Sequence, residues 1–388
     1  MLGRKGIFKK LEEAFTGNEK VIWMHCSSLG EFEQGRPLLE RFKAQETGHK
    51  ILLTFFSPSG YEIRKNYDGA DWVFYLPMDG SRNAKRFLKI VNPSLVIFVK
   101  YEFWYYYLRE IKNRNTPLLL VSGIFRKEMH FFKWYGSFSR KMLSCFTHFF
   151  VQNEGSKELL AGIGLKNVSI AGDTRFDRVI EIAENAEPIQ IIEQFIGDNK
   201  TIIAGSTWTE DEEVLQKTMI GLNDLSLKLI IAPHEINEKH LNDIQKLFPN
   251  SLRYSSLTTH DSRLTTQILI IDNIGLLSRI YKYAYITYIG GGFNKSGIHN
   301  VLEAAVYGKP ILFGPYYHKF QEAVDLVESG GAFSVNDAAE TISIIQKLKG
   351  NKEEYQRSCR SSLDYVYVNK GATDAIMDFI YKNRLLIN

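Results

Sequence analysis

The stretch Val21-Ile22-Trp23-Met24-His25-Cys26-Ser27-Ser28-Leu29-Gly30-Glu31 decides the fold. Val21 to His25 runs apolar without polar alternation, the mark of a strand buried on both faces. Ser27 to Glu31 then breaks the run with small and polar residues. Helical spacing of apolar residues follows from Glu33 to Lys43. A buried strand, a short loop and a helix, in that order, open a doubly wound α/β fold, in which residues just after a strand sit where such sheets hold their ligands.

The same unit recurs along the chain. Ile51 to Phe56, Trp72 to Leu76, Ser94 to Lys100, Pro117 to Ser122, Phe149 to Gln152 and Val168 to Ala171 are further predicted strands, and Ser57-Pro58-Ser59-Gly60 is a loop. Val179 to Gly197, rich in Glu and Ile, is predicted as a helical connector. The pattern then restarts with strands at Thr201 to Gly205, Leu227 to Ala232, Ile268 to Ile271, Ala284 to Gly290 and Pro310 to Phe313. Helices are predicted at Glu210 to Leu222 and Asn300 to Tyr307. The expectation is two doubly wound, Rossmann-like domains, 1–180 and 181–370, facing each other across a cleft, with a C-terminal helix (371–388) packing back on the first. Neither a short-period repeat nor a low-complexity tract is present.

With 388 residues, 44% hydrophobic and 24% charged, the chain is long enough for two cores and has the balance of a globular protein. It contains no apolar run of about 20 residues and no secretory signal. The opening Met1-Leu2-Gly3-Arg4-Lys5-Gly6 is abrupt and basic. Cys26, Cys145 and Cys359 are far apart and lack zinc-site spacing, which predicts reduced thiols and no metal site. The net charge of +4 divides unequally: residues 1–180 hold 28 Lys and Arg against 18 Asp and Glu, the remainder 20 against 26. A basic N-terminal half suits an anionic partner. Within it, Arg126 to Lys141 interleaves cations with Phe131, Phe132, Trp134, Tyr135 and Phe138, a mixture that fits a helix lying in a membrane interface. Single-stranded nucleic acid would also accept such a mixture, but no RRM, KH or helix-turn-helix signature accompanies it, and no nucleic-acid partner is expected.

Three strand ends carry candidate chemistry. In Ser27-Ser28-Leu29-Gly30-Glu31, Glu31 suits either a helix cap or a general base acting on a hydroxyl, and Gly30 either a tight turn or a close-approaching substrate. In Lys100-Tyr101-Glu102-Phe103-Trp104, charge sits beside aromatics. Topology suggests that Glu102 pairs with Arg175 of Gly172-Asp173-Thr174-Arg175-Phe176-Asp177. The third is Tyr288-Ile289-Gly290-Gly291-Gly292-Phe293 with Ser296 to Ala305, where glycines and a helix start offer backbone N–H groups to an anion, Asn300 as N-cap and Glu303 three residues on. It matches neither the P-loop nor the dinucleotide fingerprint. Ala232-Pro233-His234-Glu235, Asp272-Asn273-Ile274-Gly275-Leu276 and Gly205-Ser206-Thr207-Trp208 are adjoining loops. No Asp-x-Asp occurs in the chain, so a leaving nucleotide would be stabilised by backbone and side chains rather than a metal.

Trp23-Met24-His25 with Ser28-Leu29-Gly30-Glu31, Thr54 to Tyr61, Tyr75-Leu76-Pro77-Met78-Asp79, Val99 to Trp104, Gly172 to Asp177, Gly205 to Trp208 and His299-Asn300-Val301-Leu302-Glu303 form seven ordered blocks. Together they resemble the bacterial 3-deoxy-D-manno-octulosonic acid (Kdo) transferases over nearly the whole chain. The resemblance implies a GT-B fold and metal- and cofactor-independent, inverting transfer of Kdo from CMP-Kdo to the lipid A precursor, in lipopolysaccharide biosynthesis at the cytoplasmic face of the inner membrane. It implies Glu31 as general base, and Glu102 and Arg175 as supports of the transition state. Pro233, His234, Ile274, Gly275, Leu276, Asn300, Val301, Leu302 and Glu303 would hold CMP. Ser28, Gly30, Ser57, Ser59, Gly60 and Lys100 would line the acceptor side. Members usually begin with a short apolar anchor, so the resemblance implies a truncated, peripheral form. This chain departs from the family at His234 (often Arg), Leu276 (often Glu), Arg175 (often Lys) and Val301 (often Pro). A neutral His234 would weaken phosphate binding. The alternatives are another GT-B enzyme using a UDP-sugar, a transferase or an epimerase, and a non-catalytic nucleotide- or lipid-binding protein.

Overall fold

A computed structural model describes residues 4–45, 48–259 and 261–386; Met1-Leu2-Gly3 of the basic opening lies outside them. The chain forms two compact units, one of residues 1–178 with 369–388, the other of 179–368.

In the first unit every predicted strand is present: β1 (Val21–Cys26), β2 (Lys50–Phe55), β3 (Trp72–Tyr75), β4 (Leu95–Val99), β5 (Leu118–Gly123), β6 (His148–Val151) and β7 (Val168–Ile170). They make one parallel sheet in the order β3-β2-β1-β4-β5-β6-β7. The order reverses direction between β1 and β4, so the loops after these two strands leave the sheet on opposite sides and open a crevice. Buried side chains cover both faces. Trp23, Phe87, Phe98 and Tyr107 pack on one. Ile22, Met24, Leu53 and Ile97 pack on the other, joined by Ile376, Met377 and Ile380 of the final helix, Ala372–Lys382.

The second unit repeats the plan with β8 (Thr201–Thr207), β9 (Lys228–Pro233), β10 (Leu252–Arg253), β11 (Ile268–Ile270), β12 (Ile286–Ile289), β13 (Ile311–Phe313) and β14 (Ala332–Ser334). The parallel order is β10-β11-β9-β8-β12-β13-β14, with the reversal between β8 and β12. β10 and β14, two and three residues long, are too short for their burial pattern to register in the sequence. Helices such as Thr209–Leu222 and Gln321–Ser329 connect the strands.

Three local expectations are corrected. The connector is two helices, Arg175–Glu184 and Gln190–Ile196, because Pro188 lacks an N–H and disfavours helix in the residue before it. The segment 126–141 is not one helix but a 3₁₀ turn (His130–Phe132) and a short helix (Ser137–Leu143). Gly136 closes the bend so tightly that a Cβ there would strike the His130 carbonyl, and Arg140 donates to the carbonyls of Phe131 and Lys133, both at 3.0 Å. The helix expected over 300–307 is a single turn, Leu302–Ala305, with Val301 rather than Asn300 at its N-cap. Gly308 (φ +60°) and Pro310 stop it.

Candidate functional site

In the first unit the crevice between β1 and β4 gathers two carboxylates. Ser28 leaves β1 in extended geometry and starts the helix Leu29–Ala44. Glu31 lies one turn in and folds back: its Oε2 accepts the Ser28 N–H at 3.0 Å and also the Ser28 hydroxyl. That is a capping box. Oε1 accepts no hydrogen bond among the described residues, and the side chain is half-buried. The group can therefore hold the helix start with one oxygen and offer the other to a proton. Gly30 sits inside the helix, and a Cβ would meet only Ser28 Oγ at 3.7 Å. The tight-turn reason for this glycine fails, and room for a ligand remains.

Glu102 follows β4 after Lys100, which is held at φ +67°. A long side chain in the left-handed region is strained, and such strain concentrates at functional strand ends. Glu102 is 4% exposed. His25 Nε2 lies 3.2 Å from its Oε2, an ion-pair contact off the line of a well-aligned hydrogen bond, and Trp104 Nε1 donates to the same oxygen. Burial pushes the carboxyl up, but His25, Trp104 and Ser27 outweigh it and leave it below the usual carboxylate range. The expected Glu102–Arg175 pair is thus replaced by Glu102–His25. Arg175 pairs with its near neighbour Asp173, through Nε at 3.0 Å and Nη2 at 2.9 Å. Asp173 is also bound by Gln34 at 2.8 Å and Gln152 at 3.1 Å. Burial raises its pKa, and Arg175 with the Gln34 amide brings it below the ordinary value. Cys26 is buried, and burial, then Glu102, Glu31 and Glu33, push its thiol well up, away from any nucleophilic role.

The loop after β2 joins the same end of the sheet, the Ser57 N–H donating to Ser27 O at 2.7 Å. Ser57 caps the helix Pro58–Arg64, its Oγ accepting from the Ser59 N–H at 3.3 Å. Gly60 is a packing glycine, since a Cβ would run into the Phe55 ring.

In the second unit the crevice lies between β8 and β12. Ser206, the penultimate residue of β8, has φ +55°. A Cβ on Gly290 would collide with its carbonyl, and one on Gly292 would crowd the Gly314 backbone at 2.5 Å, so the glycines serve close backbone packing. Asp211 anchors them. It accepts from the Gly291 N–H at 2.8 Å, the Trp208 N–H at 2.9 Å and the Tyr288 hydroxyl at 2.9 Å. Burial nevertheless raises its carboxyl to about 6. Beside this knot three rings stack. His234 lies 4.7 Å from Trp208 and 4.3 Å from His299, centroid to centroid. Trp208 Nε1 donates to His299 Nε2 at 3.1 Å, which places the His299 proton on Nδ1. Burial, then His234, lowers His299 to about 4. Burial also lowers His234, against the opposing pull of Glu235. Both are neutral at pH 7, so neither brings positive charge to a phosphate.

Comparisons with known proteins bear on these two sites. Residues 3–178 match the family model described as 3-deoxy-D-manno-octulosonic-acid transferase (kdotransferase). A 3-deoxy-D-manno-octulosonic acid transferase of Aquifex aeolicus is 29% identical over 88% of this chain and 90% of its own. One of Haemophilus influenzae is 24% identical over 92% and 86%. Over most of its length the chain is thus similar to Kdo glycosyltransferases. Solved structures similar over nearly the whole chain show the GT-B fold. They include UDP-GlcNAc 2-epimerase of Neisseria meningitidis (TM-score 0.64, 17% identical, 94% of this chain and 100% of that one) and Acinetobacter baumannii MurG (TM-score 0.59, 13% identical, 94% and 99%).

The expected donor residues divide by what they expose. His234 and Ile274 are open to solvent, and Gly275 (φ +96°) turns the loop after β11. Asn300 accepts the Leu302 N–H at 3.2 Å and donates to Glu303 Oε1 at 3.1 Å, an oriented polar pair. Pro233, Leu276, Val301 and Leu302 are buried, so they shape the wall from behind. His25, Thr54, Trp208, His299 and Asp211 were not singled out as site residues. The signal that could have found them is the strand order: all but Thr54, which lies at the end of β2 next to β1, sit at or beside a strand end flanking a reversal. Among the described residues no group of three or more His, Cys, Asp or Glu side chains is arranged to hold a metal ion.

Proposed function

We propose that this chain is a Kdo transferase and moves Kdo from CMP-Kdo to a hydroxyl of the lipid A precursor with inversion. Glu31 Oε1 takes the hydroxyl proton as the oxygen attacks the anomeric carbon from the face opposite the phosphate. The carbon–oxygen bond to CMP breaks, and the proton passes from Glu31 to solvent. Glu102, ionised beside His25, sets negative charge near the positive charge that grows on the sugar, and Arg175, held by Asp173, supports the transition state from its own strand end. The second unit holds CMP, its neutral ring stack suiting the base and the Asn300–Glu303 pair the ribose hydroxyls. The observation that carries this reading is the half-buried Glu31 at the β1–β4 reversal with one oxygen unengaged.

A membrane-surface location is supported by the bend after β5. Trp134 (92% exposed), Tyr135 and Phe138 project from it, with Tyr105 5.0 Å from Phe138 and exposed Arg126, Lys127 and Lys141 nearby in sequence. Exposed aromatic tips with exposed cations nearby in sequence fit an anionic lipid interface. No helix among the described residues is long and apolar enough to cross a bilayer.

The decisive experiment is incubation with CMP-Kdo and lipid A precursor, read by mass spectrometry. Glu31→Gln keeps the cap geometry and removes the base. We expect kcat to fall by about 10²–10⁴ while CMP binding, measured by calorimetry, is unchanged. Wild-type turnover by this variant would overturn the assignment.

A further inference from the structure

We propose that His25 is a positioning residue for the transfer reaction, presenting an Nε2–H that holds the Glu102 carboxylate at the β1–β4 reversal. The inference rests on the role given to Glu102 above and adds the group that fixes it.

His25 is fully buried within β1, in register with Thr54 on one side and Phe98 on the other. Its Nδ1 lies 2.9 Å from Thr54 Oγ1 and 3.1 Å from Thr54 O. Trp23 Nε1 donates to the same hydroxyl at 2.8 Å. Phe98 and Trp104 wall the ring, at 5.5 Å and 6.1 Å between centroids. The imidazole is therefore held between Thr54 and these rings, and its Nε2 lies 3.2 Å from Glu102 Oε2, off the line of a well-aligned hydrogen bond.

Proton counting fixes what Nε2 carries. Glu102 is ionised and can only accept. Whether Nδ1 donates to the Thr54 carbonyl or accepts from its hydroxyl, a bare lone pair at Nε2 would oppose the carboxylate, so Nε2 holds a hydrogen. A core histidine with no further task would pair with a backbone carbonyl at low cost. This one is spent on a buried charge, an arrangement that an apolar pair of equal volume would better for stability. It sits under a strained strand end, and Ser27, the next residue but one, also helps lower the Glu102 carboxyl, one residue before the Glu31 cap begins at Ser28. Placement of Glu102 to within a few tenths of an ångström is what such a buried, walled donor supplies.

The test uses the full chain with CMP-Kdo and lipid A precursor. His25→Leu should lose kcat on the order of tenfold to a hundredfold with KM for CMP-Kdo unchanged. His25→Gln, whose amide nitrogen can replace Nε2–H, should recover most of the loss. Glu102→Gln alone should be impaired, and His25→Leu/Glu102→Gln should be no worse than Glu102→Gln. A folded His25→Leu with wild-type kcat, or a double variant whose losses multiply, overturns the inference while leaving Glu102 in its role. A fully active Glu102→Gln overturns both. Should His25→Leu fail to fold, ¹⁵N-histidine spectra decide the matter. The resonance assigned by its absence in His25→Gln should report a protonated Nε2 that moves in Glu102→Gln, and an unprotonated Nε2 ends the proposal.

Discussion

Asp211 shows how one residue can be structural and costly at once. It ties Gly291, Trp208 and Tyr288 together, yet it does so as a fully buried carboxylate raised to about 6. A folded-state pKa above the unfolded value means that the folded chain keeps a proton the unfolded chain has released. The associated stability is complete below about pH 4 and is lost as pH rises through about 6, on the order of 3 kcal/mol for a shift of about two units. Asp211→Asn can accept from both N–H groups with its oxygen and donate to Tyr288 with its nitrogen. We expect it to flatten the fall in stability between pH 4 and 6 seen in urea titrations of the wild type. Gly30 makes the opposite case, a residue with no fold requirement. Gly30→Ala meets nothing closer than 3.7 Å and relieves a helix of a glycine, so the melting temperature should hold or rise. If acceptor passes over it, KM for the lipid rises, and an unchanged KM would place the acceptor path elsewhere.

At the scale of elements, the segment 126–141 separates what pattern can predict from what it cannot. Its aromatic and basic content announced an interface, but not the bend that presents it, because the bend depends on Gly136 meeting the His130 carbonyl and on Arg140 reaching two others. Those contacts follow from tertiary proximity rather than periodicity. The bend leaves Trp134 and Phe138 at its surface. Trp134→Glu with Phe138→Glu should leave the fold intact and weaken sedimentation with vesicles containing anionic lipid by tenfold or more, each ring being worth about 1 kcal/mol or more at an interface. Equal sedimentation would remove this face from the membrane account. The long strands were legible for the opposite reason: β1, β4 and β5 are buried on both faces and spell out as mostly apolar runs. β10 and β14 add too few residues to form a pattern. The candidate site was legible where a loop follows such a strand, as at Glu31 and Glu102. The partners were less so, since Glu102 was matched to Arg175 by topology when His25, inside the neighbouring strand, lay nearer. A buried histidine within an apolar run carries no mark in the sequence that separates a core residue from a working one.

For the whole molecule, the chain path sets what can be cut. It leaves the first unit after Arg178 and returns at Asn369, and the return is fastened where it left. Asp177 accepts the Gly371 N–H at 2.6 Å and the Thr373 N–H at 2.7 Å, capping the last helix. Ile376, Met377 and Ile380 of that helix are at most 3% exposed and share a cluster with Ile22, Leu53 and Ile97. Full burial of three such side chains contributes about 5–9 kcal/mol, as much as many domains possess in total. Deleting residues 369–388 should therefore unfold the first unit, although the matched family residues 3–178 all remain. The second unit takes no part of its sheet from that segment, and its β8–β12 reversal lies wholly within 179–368. Residues 179–368 expressed alone should melt as one cooperative transition that CMP shifts upward, since a ligand bound only by the native state raises its stability. A fragment that folds but ignores CMP would mean that the nucleotide needs residues of the first unit, and the division of labour between the two sheets would have to be redrawn.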